Sequence, residues 1–315
     1  MTTYKPRKHV YGPVPSRRLG LSLGVDLVPY KVCCYDCVYC QLGPTSRLTV
    51  EREAFVDPDQ VAREVEQALE RGPRPQVITL AGSGEPTLHA GLGEVVQALR
   101  RVSDLPLCLL TNGGLLWQEP VARAAAAFDM VAPSLDAADP ETFRRVNRPA
   151  GEIDFAAMLD GLRRFCAGFT GRCQLEVLLV RGVNDAPESL DALARVAGEL
   201  RLDSVDLNTV VRPPAVCGVR GLDAAQLERA RERFGPRARV VASFREEPGK
   251  TAAKGPATAR PRILETVARR PCTIADLVAA LGLDEETVRA VCASGVEQGE
   301  LREERVGEAT YYRRP

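Results

Sequence analysis

Cys33-Cys34-Tyr35-Asp36-Cys37-Val38-Tyr39-Cys40 carries four thiols in eight residues, and three of them, Cys33, Cys37 and Cys40, follow the spacing C-x-x-x-C-x-x-C. Thiolates this close in sequence can close on one small metal centre. An iron–sulfur cube is usually held by four cysteines. A set of three leaves one iron open, and an open metal position is where a small molecule can bind. Tyr39 puts an aromatic ring beside the last thiol. A zinc knuckle or a set of buried thiols is the competing reading. Zinc asks for a fourth protein ligand, and no further Cys or His follows at a close, zinc-like spacing. Cys34 crowds the motif without fitting its spacing.

The segments around the loop set the fold class. Leu21 to Leu27 alternates with period two and stops at Pro29, which reads as a strand, so the cysteines sit at its C-terminal end. Strands then alternate with helices. Val77 to Ala81, Leu105 to Leu110, Asp129 to Ala132, Leu175 to Val180 and Ser204 to Val211 are short and mostly apolar. Between them, Asp57-Pro58-Asp59-Gln60 and Asp139-Pro140-Glu141-Thr142 carry helix-start chemistry, and Leu88, Leu92, Val95, Val96 and Leu99 have helical spacing. Apolar strands between amphipathic helices mean an α/β fold with a covered parallel sheet. The expected architecture is a partial TIM-like (β/α)6 barrel over residues 21–245, after an extended N-terminal arm, 1–20. Residues 246–259 have linker composition, and 260–315 read as a small winged helix-turn-helix domain.

Composition removes several classes. Formal net charge is zero over 315 residues, so no global basic field advertises nucleic acid. No N-terminal apolar run suggests a signal peptide and no segment suits a bilayer, so no membrane role and a reducing cytoplasm are expected. There, ten cysteines suit metal binding or burial better than disulfides. Cys108, Cys166, Cys173, Cys217, Cys272 and Cys292 read as core filler, and a second cluster built from some of them stays open.

Polar motifs recur where the strands end. Gly82-Ser83-Gly84-Glu85-Pro86, Thr111-Asn112-Gly113, Ser134-Leu135-Asp136 and Val180-Arg181-Gly182-Val183-Asn184-Asp185 follow successive strands. Each alone is an ordinary turn or cap. Together with the cysteines, in this order, they resemble the radical S-adenosylmethionine (radical SAM) superfamily. The resemblance covers about residues 11–245. It implies a [4Fe-4S] cluster on Cys33, Cys37 and Cys40, and SAM chelating the open iron. It also implies a SAM pocket drawn from Tyr39, Gly82, Ser83, Gly84, Glu85, Thr111, Asn112, Ser134, Asp136, Glu176 and Val180. On that reading Ser134 and Asp136 suit the ribose hydroxyls, with helix capping as the other role for Asp136. Glu176 is a charge in an apolar strand, and so either faces the barrel interior or pairs with an arginine.

The implied activity is reductive cleavage of SAM to a 5′-deoxyadenosyl radical that removes a hydrogen from a substrate, with an electron donor such as flavodoxin or ferredoxin. Gly12-Pro13-Val14-Pro15-Ser16-Arg17-Arg18-Leu19-Gly20 and Leu27-Val28-Pro29-Tyr30-Lys31 resemble a prokaryotic group related to the wyosine synthases, which act on a guanosine in transfer RNA. This chain departs from them in having no Cys before Cys33 and only Lys31 between the arm and the linker. An RNA or protein substrate is expected, with Lys31, Asn208 and Arg212 as candidate catalytic or substrate contacts, alongside Asn147 and Arg148. The reading from Asp284 to Cys292 as a recognition helix has more acid than base, so DNA binding is not expected. The alternative is a non-catalytic iron–sulfur sensor with the winged helix as output.

Overall fold

The computed structural model describes residues 9–16, 18–71, 73–242, 256–268, 271–306 and 309–315. The chain opens with a hairpin, β1 (Val10–Ser16) and β2 (Gly20–Val25), paired antiparallel with Val10 opposite Val25. This corrects the expectation of an arm outside the sheet. Gly12, Pro13 and Pro15 hide the strand signal in the sequence, and an edge strand tolerates prolines that an inner strand does not. Arg17 lies outside the described residues.

Two short strands, β3 (Val32–Cys33) and β4 (Arg47–Leu48), pair parallel and close the cysteine loop. The strand–helix repeat follows: α1 (Pro58–Arg71), β5 (Val77–Leu80), α2 (Leu92–Val102), β6 (Leu107–Thr111), α3 (Glu119–Ala125), β7 (Met130–Pro133), α4 (Pro140–Val146), α5 (Phe155–Gly168), β8 (Arg172–Leu179), α6 (Pro187–Glu199), β9 (Ser204–Thr209), α7 (Ala224–Phe234) and β10 (Ala238–Val240). All pairings from β2 to β10 in the main sheet are parallel, in the order β1-β2-β5-β6-β7-β8-β9-β10. The order is sequential because each helix returns the chain to the next position. β5 is buried at every residue, which explains its unbroken apolar run. α5 is not among the expected helices; Met158, Leu159, Leu162, Phe165 and Cys166 are buried on one face of it, and Asp154 caps it on the Ala157 amide.

The sheet is curled. Arg18, in the β1–β2 turn, forms an ion pair with Glu176 on β8. β2 and β8 stand four steps apart, which in a flat sheet is about 19 Å.

Residues 243–255, most of the expected linker, lie outside the described residues. α8 (Pro256–Val267) begins inside its last part. α9 (Ile274–Leu281) and α10 (Glu285–Glu297) follow, then β11 (Arg302–Val306) antiparallel to β12 (Ala309–Arg313). Thr273 and Asp276 make a capping box on α9, Gly282 supplies its left-handed end, and Asp284 caps α10. These elements bury their own core, including Ile263, Leu277, Val288 and Leu301. The expected turn residues Gly307 and Glu308 lie outside the described residues. Tyr311 donates its hydroxyl to the Val211 carbonyl, and Arg212 pairs with Asp276, so this unit rests on the loop after β9.

Candidate active site at the strand ends

The cysteine loop is docked backbone to backbone on the segment after α4. Asp36 donates its amide to the Asn147 carbonyl at 3.0 Å, Val38 to Val146 at 3.0 Å, and Ala150 returns a bond to Cys34 at 2.9 Å. Cys33, Cys37 and Cys40 are half-buried, whereas Cys34 is buried. Each thiol of the spacing motif meets one side-chain N–H donor: Asn112 Nδ2 lies 3.5 Å from Cys33, Asn147 Nδ2 3.5 Å from Cys37, and Lys31 Nζ 3.2 Å from Cys40. Burial pulls the Lys31 ammonium down, but Cys40, Cys33 and Cys37 outweigh it and hold it above the usual lysine range. Burial pushes the Cys37 thiol well up. Among the described residues, no three His, Cys, Asp or Glu side chains are placed to close on a single ion. A cube differs in taking each thiolate on its own iron. Three half-buried thiols with N–H donors behind them would fit such a cluster.

The glycine loop after β5 is held from beneath by Asp26, which the sequence reading did not single out. Asp26 accepts from the Ser83 amide at 3.1 Å and from its hydroxyl at 2.6 Å, and is itself buried. A charge closing an apolar strand was the available signal. A Cβ on Gly82 would stand 2.4 Å from the Asp26 carboxyl carbon, and one on Gly84 2.0 Å from the Val32 carbonyl. Both glycines are therefore demanded by close approach, Gly84 by the strand leading into Cys33.

Glu85 joins this loop to the next strand end. Its carboxylate accepts from the Thr87 amide and hydroxyl, the Thr111 hydroxyl at 2.6 Å and the Asn112 amide at 2.8 Å. Burial nevertheless raises the Glu85 carboxyl, against the pull of these donors. Asn112 thus spans from Glu85 to Cys33, and also donates to Cys34 at 3.2 Å.

Asp136 organises the far side. It accepts from the Tyr39 hydroxyl at 2.5 Å, from Asn147 Nδ2 at 2.7 Å and from the Leu178 amide at 2.8 Å. Burial raises this carboxyl too, and burial followed by the Asp136 charge pushes the Tyr39 hydroxyl well up. Asn184, buried after β8, donates to the Asp136 and Leu178 carbonyls and accepts from the Val180 amide at 2.7 Å. Ser134 is half-buried and donates its amide to the Thr111 carbonyl.

Other candidates scatter. Glu176 is taken by Arg18, the ion-pair alternative of the sequence reading. Asn208 turns its side-chain oxygen onto the Thr209 amide at 3.0 Å. Arg212 reaches Gln41 at 3.0 Å and Asp276 at 3.5 Å, which ties the cysteine loop to α9. Arg148 stands 4.0 Å from Asp36 with a left-handed backbone, φ 45°. Of the remaining cysteines, Cys217 is exposed rather than core, and Cys166 lies 3.7 Å from Cys173, sulfur to sulfur.

With this geometry, the chain belongs to the radical SAM superfamily, whose family model matches residues 27–194. It is 36% identical over 207 residues to a UPF0026 protein of Methanocaldococcus jannaschii, covering 65% of this chain and 64% of that protein. It is 33% identical over 305 residues to a protein named GTPase Obg from Brachyspira hyodysenteriae, covering 97% of this chain and 45% of that protein. The chain therefore spans less than two thirds of either relative. Among solved structures, a radical SAM methyltransferase from Sphaerobacter thermophilus matches with a TM-score of 0.56 at 20% identity, over 71% of this chain and 67% of that one. That likeness is one of fold. No helix among the described residues is long and apolar enough to cross a membrane.

Proposed function

We propose that this protein is a radical SAM enzyme of the cytoplasm that holds a [4Fe-4S] cluster on Cys33, Cys37 and Cys40 and binds SAM beside it, for hydrogen abstraction from an RNA or protein substrate. The observation that carries the reading is Asn112, which touches a cluster thiol and the carboxylate that secures the Gly82–Glu85 loop. Cluster and SAM, when bound, supply the reductive cleavage that generates a 5′-deoxyadenosyl radical. The chain's own residues place and shield them. Gly84 brings the glycine loop against the strand that carries Cys33, and Glu85 locks that loop to Thr111 and Asn112. Asp136 fixes Tyr39 and Asn147 on the opposite side. An electron donor such as flavodoxin or ferredoxin is part of this proposal.

The C-terminal unit we read as a winged helix that presents substrate. α10 opens on Asp284, Glu285 and Glu286, which repel a phosphate backbone, so DNA is disfavoured. Arg302, Arg305 and Arg314 leave RNA as a partner. The name of the Brachyspira protein does not extend to this chain on sequence grounds: Gly249-Lys250-Thr251 has Phe244 where a phosphate-binding loop needs its first glycine.

The test is anaerobic reconstitution followed by dithionite and SAM. The expected product is 5′-deoxyadenosine. An intact cluster without cleavage would overturn the enzyme reading and favour the sensor. Sequencing RNA crosslinked to the protein, against peptides captured the same way, separates the two substrate classes.

A further inference from the structure

We propose that Lys31, Asn112 and Asn147 form a shell of N–H donors that sets the reduction potential of the cluster, with Lys31 its dominant member. This rests on the cluster reading above.

Each motif thiol receives one side-chain N–H donor, and each of these donors comes from a different part of the fold. Lys31 precedes the loop, Asn112 ends β6, and Asn147 closes α4. None of the three is loosely placed. The Asn112 amide is bound by Glu85, and Asn147 Nδ2 is shared with Asp136 at 2.7 Å. Lys31 holds a left-handed backbone, φ 59°, kept by its amide on the Ser83 carbonyl at 2.6 Å and by its own carbonyl accepting from Ser46 and Arg47. For a residue with a side chain that conformation is strained and persists only where the surroundings over-determine it. It delivers the ammonium to Cys40. The residue type is also specific. The chain has 37 arginines and five lysines, and Lys31 is the one lysine between residues 9 and 249. A compact ammonium sits against one sulfur as a point charge.

An electron added to the cluster spreads negative charge onto its sulfurs. Hydrogen bonds and a cation at those sulfurs favour the reduced form, and so raise the potential. One donor is cationic and two are neutral, so the shell is lopsided toward Cys40.

The experiment is a potentiometric titration of the reconstituted full chain without SAM, followed by the electron paramagnetic resonance signal of the reduced cluster. Iron and sulfide content of every variant is matched first. Lys31→Met keeps length and removes charge. At a fixed applied potential its ratio of reduced to oxidised cluster should fall at least about tenfold, which is about 59 mV for a one-electron couple. Lys31→Arg should recover most of that loss. Asn147→Ala should lower the ratio by about threefold, as for one neutral hydrogen bond. A Lys31→Met cluster with the wild-type potential or a higher one overturns the proposal. So does Lys31→Arg shifting as far as Lys31→Met, which would make Lys31 a packing residue. If Lys31→Met fails to hold a cluster, the Lys31→Arg and Asn147→Ala potentials decide. A wild-type protein that takes up no cluster would instead sink the functional reading.

Discussion

Glu85 offers the sharpest test of how the site is held together. Its buried carboxylate answers four donors from two strand ends. Hydrogen bonds to a charged acceptor contribute about 1.5–3 kcal/mol each. Burying the carboxylate costs several kcal/mol, so much of that gain is cancelled while Glu85 is present. Glu85→Ala removes the gain and strands the donors of Thr87, Thr111 and Asn112 without a partner. We expect a net loss of about 3–5 kcal/mol, because each buried donor left unsatisfied costs about 1–3 kcal/mol and removing the carboxylate relieves its own burial cost. At roughly 2–4 °C per kcal/mol in a domain of this size, the melting temperature should drop by about 10 °C. Glu85→Gln keeps one oxygen for Thr87 and Thr111 but turns an amide N–H toward the Asn112 amide, so its cost should be about 1–3 kcal/mol. Urea unfolding of the cluster-free chain at pH 7, followed by far-ultraviolet circular dichroism, measures both. An alanine variant within about 1 kcal/mol of wild type, or a glutamine variant as damaged as the alanine, would refute the reasoning.

Three further outcomes are expected. The Glu85 and Asp136 carboxyls are raised by burial above 4.5 and 3.8, so the folded state binds their protons more tightly than the unfolded chain does. Their contribution is fully present below those values and is lost as pH rises through the folded ones. The melting temperature of wild type relative to Asp136→Asn should therefore fall across that window, and a relative rise would contradict it. Gly84→Ala drives a methyl into the Val32 carbonyl, 2.0 Å away, and should cost more than about 2 kcal/mol and lower cluster uptake, measured as iron per chain. Cys37→Ala should lose the cluster, whereas Cys34→Ala should keep it, with visible absorbance and iron content as the readout; equal losses would put Cys34 among the ligands.

Much of the architecture was legible because it is periodic. β5 through β9 and most helices follow from local apolar spacing, and Asp139, Asp223 and Asp284 cap helices as their neighbours suggest. β1 was not legible, since its prolines and glycine carry no alternation and its pairing with β2 supplies the missing reason. In the site, the cysteine spacing and the glycine loop stand out because each is contiguous. Asp26 does not, since its place comes from touching Ser83, 57 positions along the chain.

Local spacing alone determined three thiols that can share a cluster, a glycine turn after a strand and a parallel α/β repeat, because each depends on neighbours a few residues apart. Only the tertiary structure decided what backs each thiol. Asn147 meets Cys37 across 110 residues. Arg212 bridges Gln41 to Asp276. Lys31 read as a lone lysine near the loop and proves to face Cys40. Such pairings arise where the curled sheet brings its strand ends to one rim, and that convergence of distant segments leaves no periodic trace in the chain.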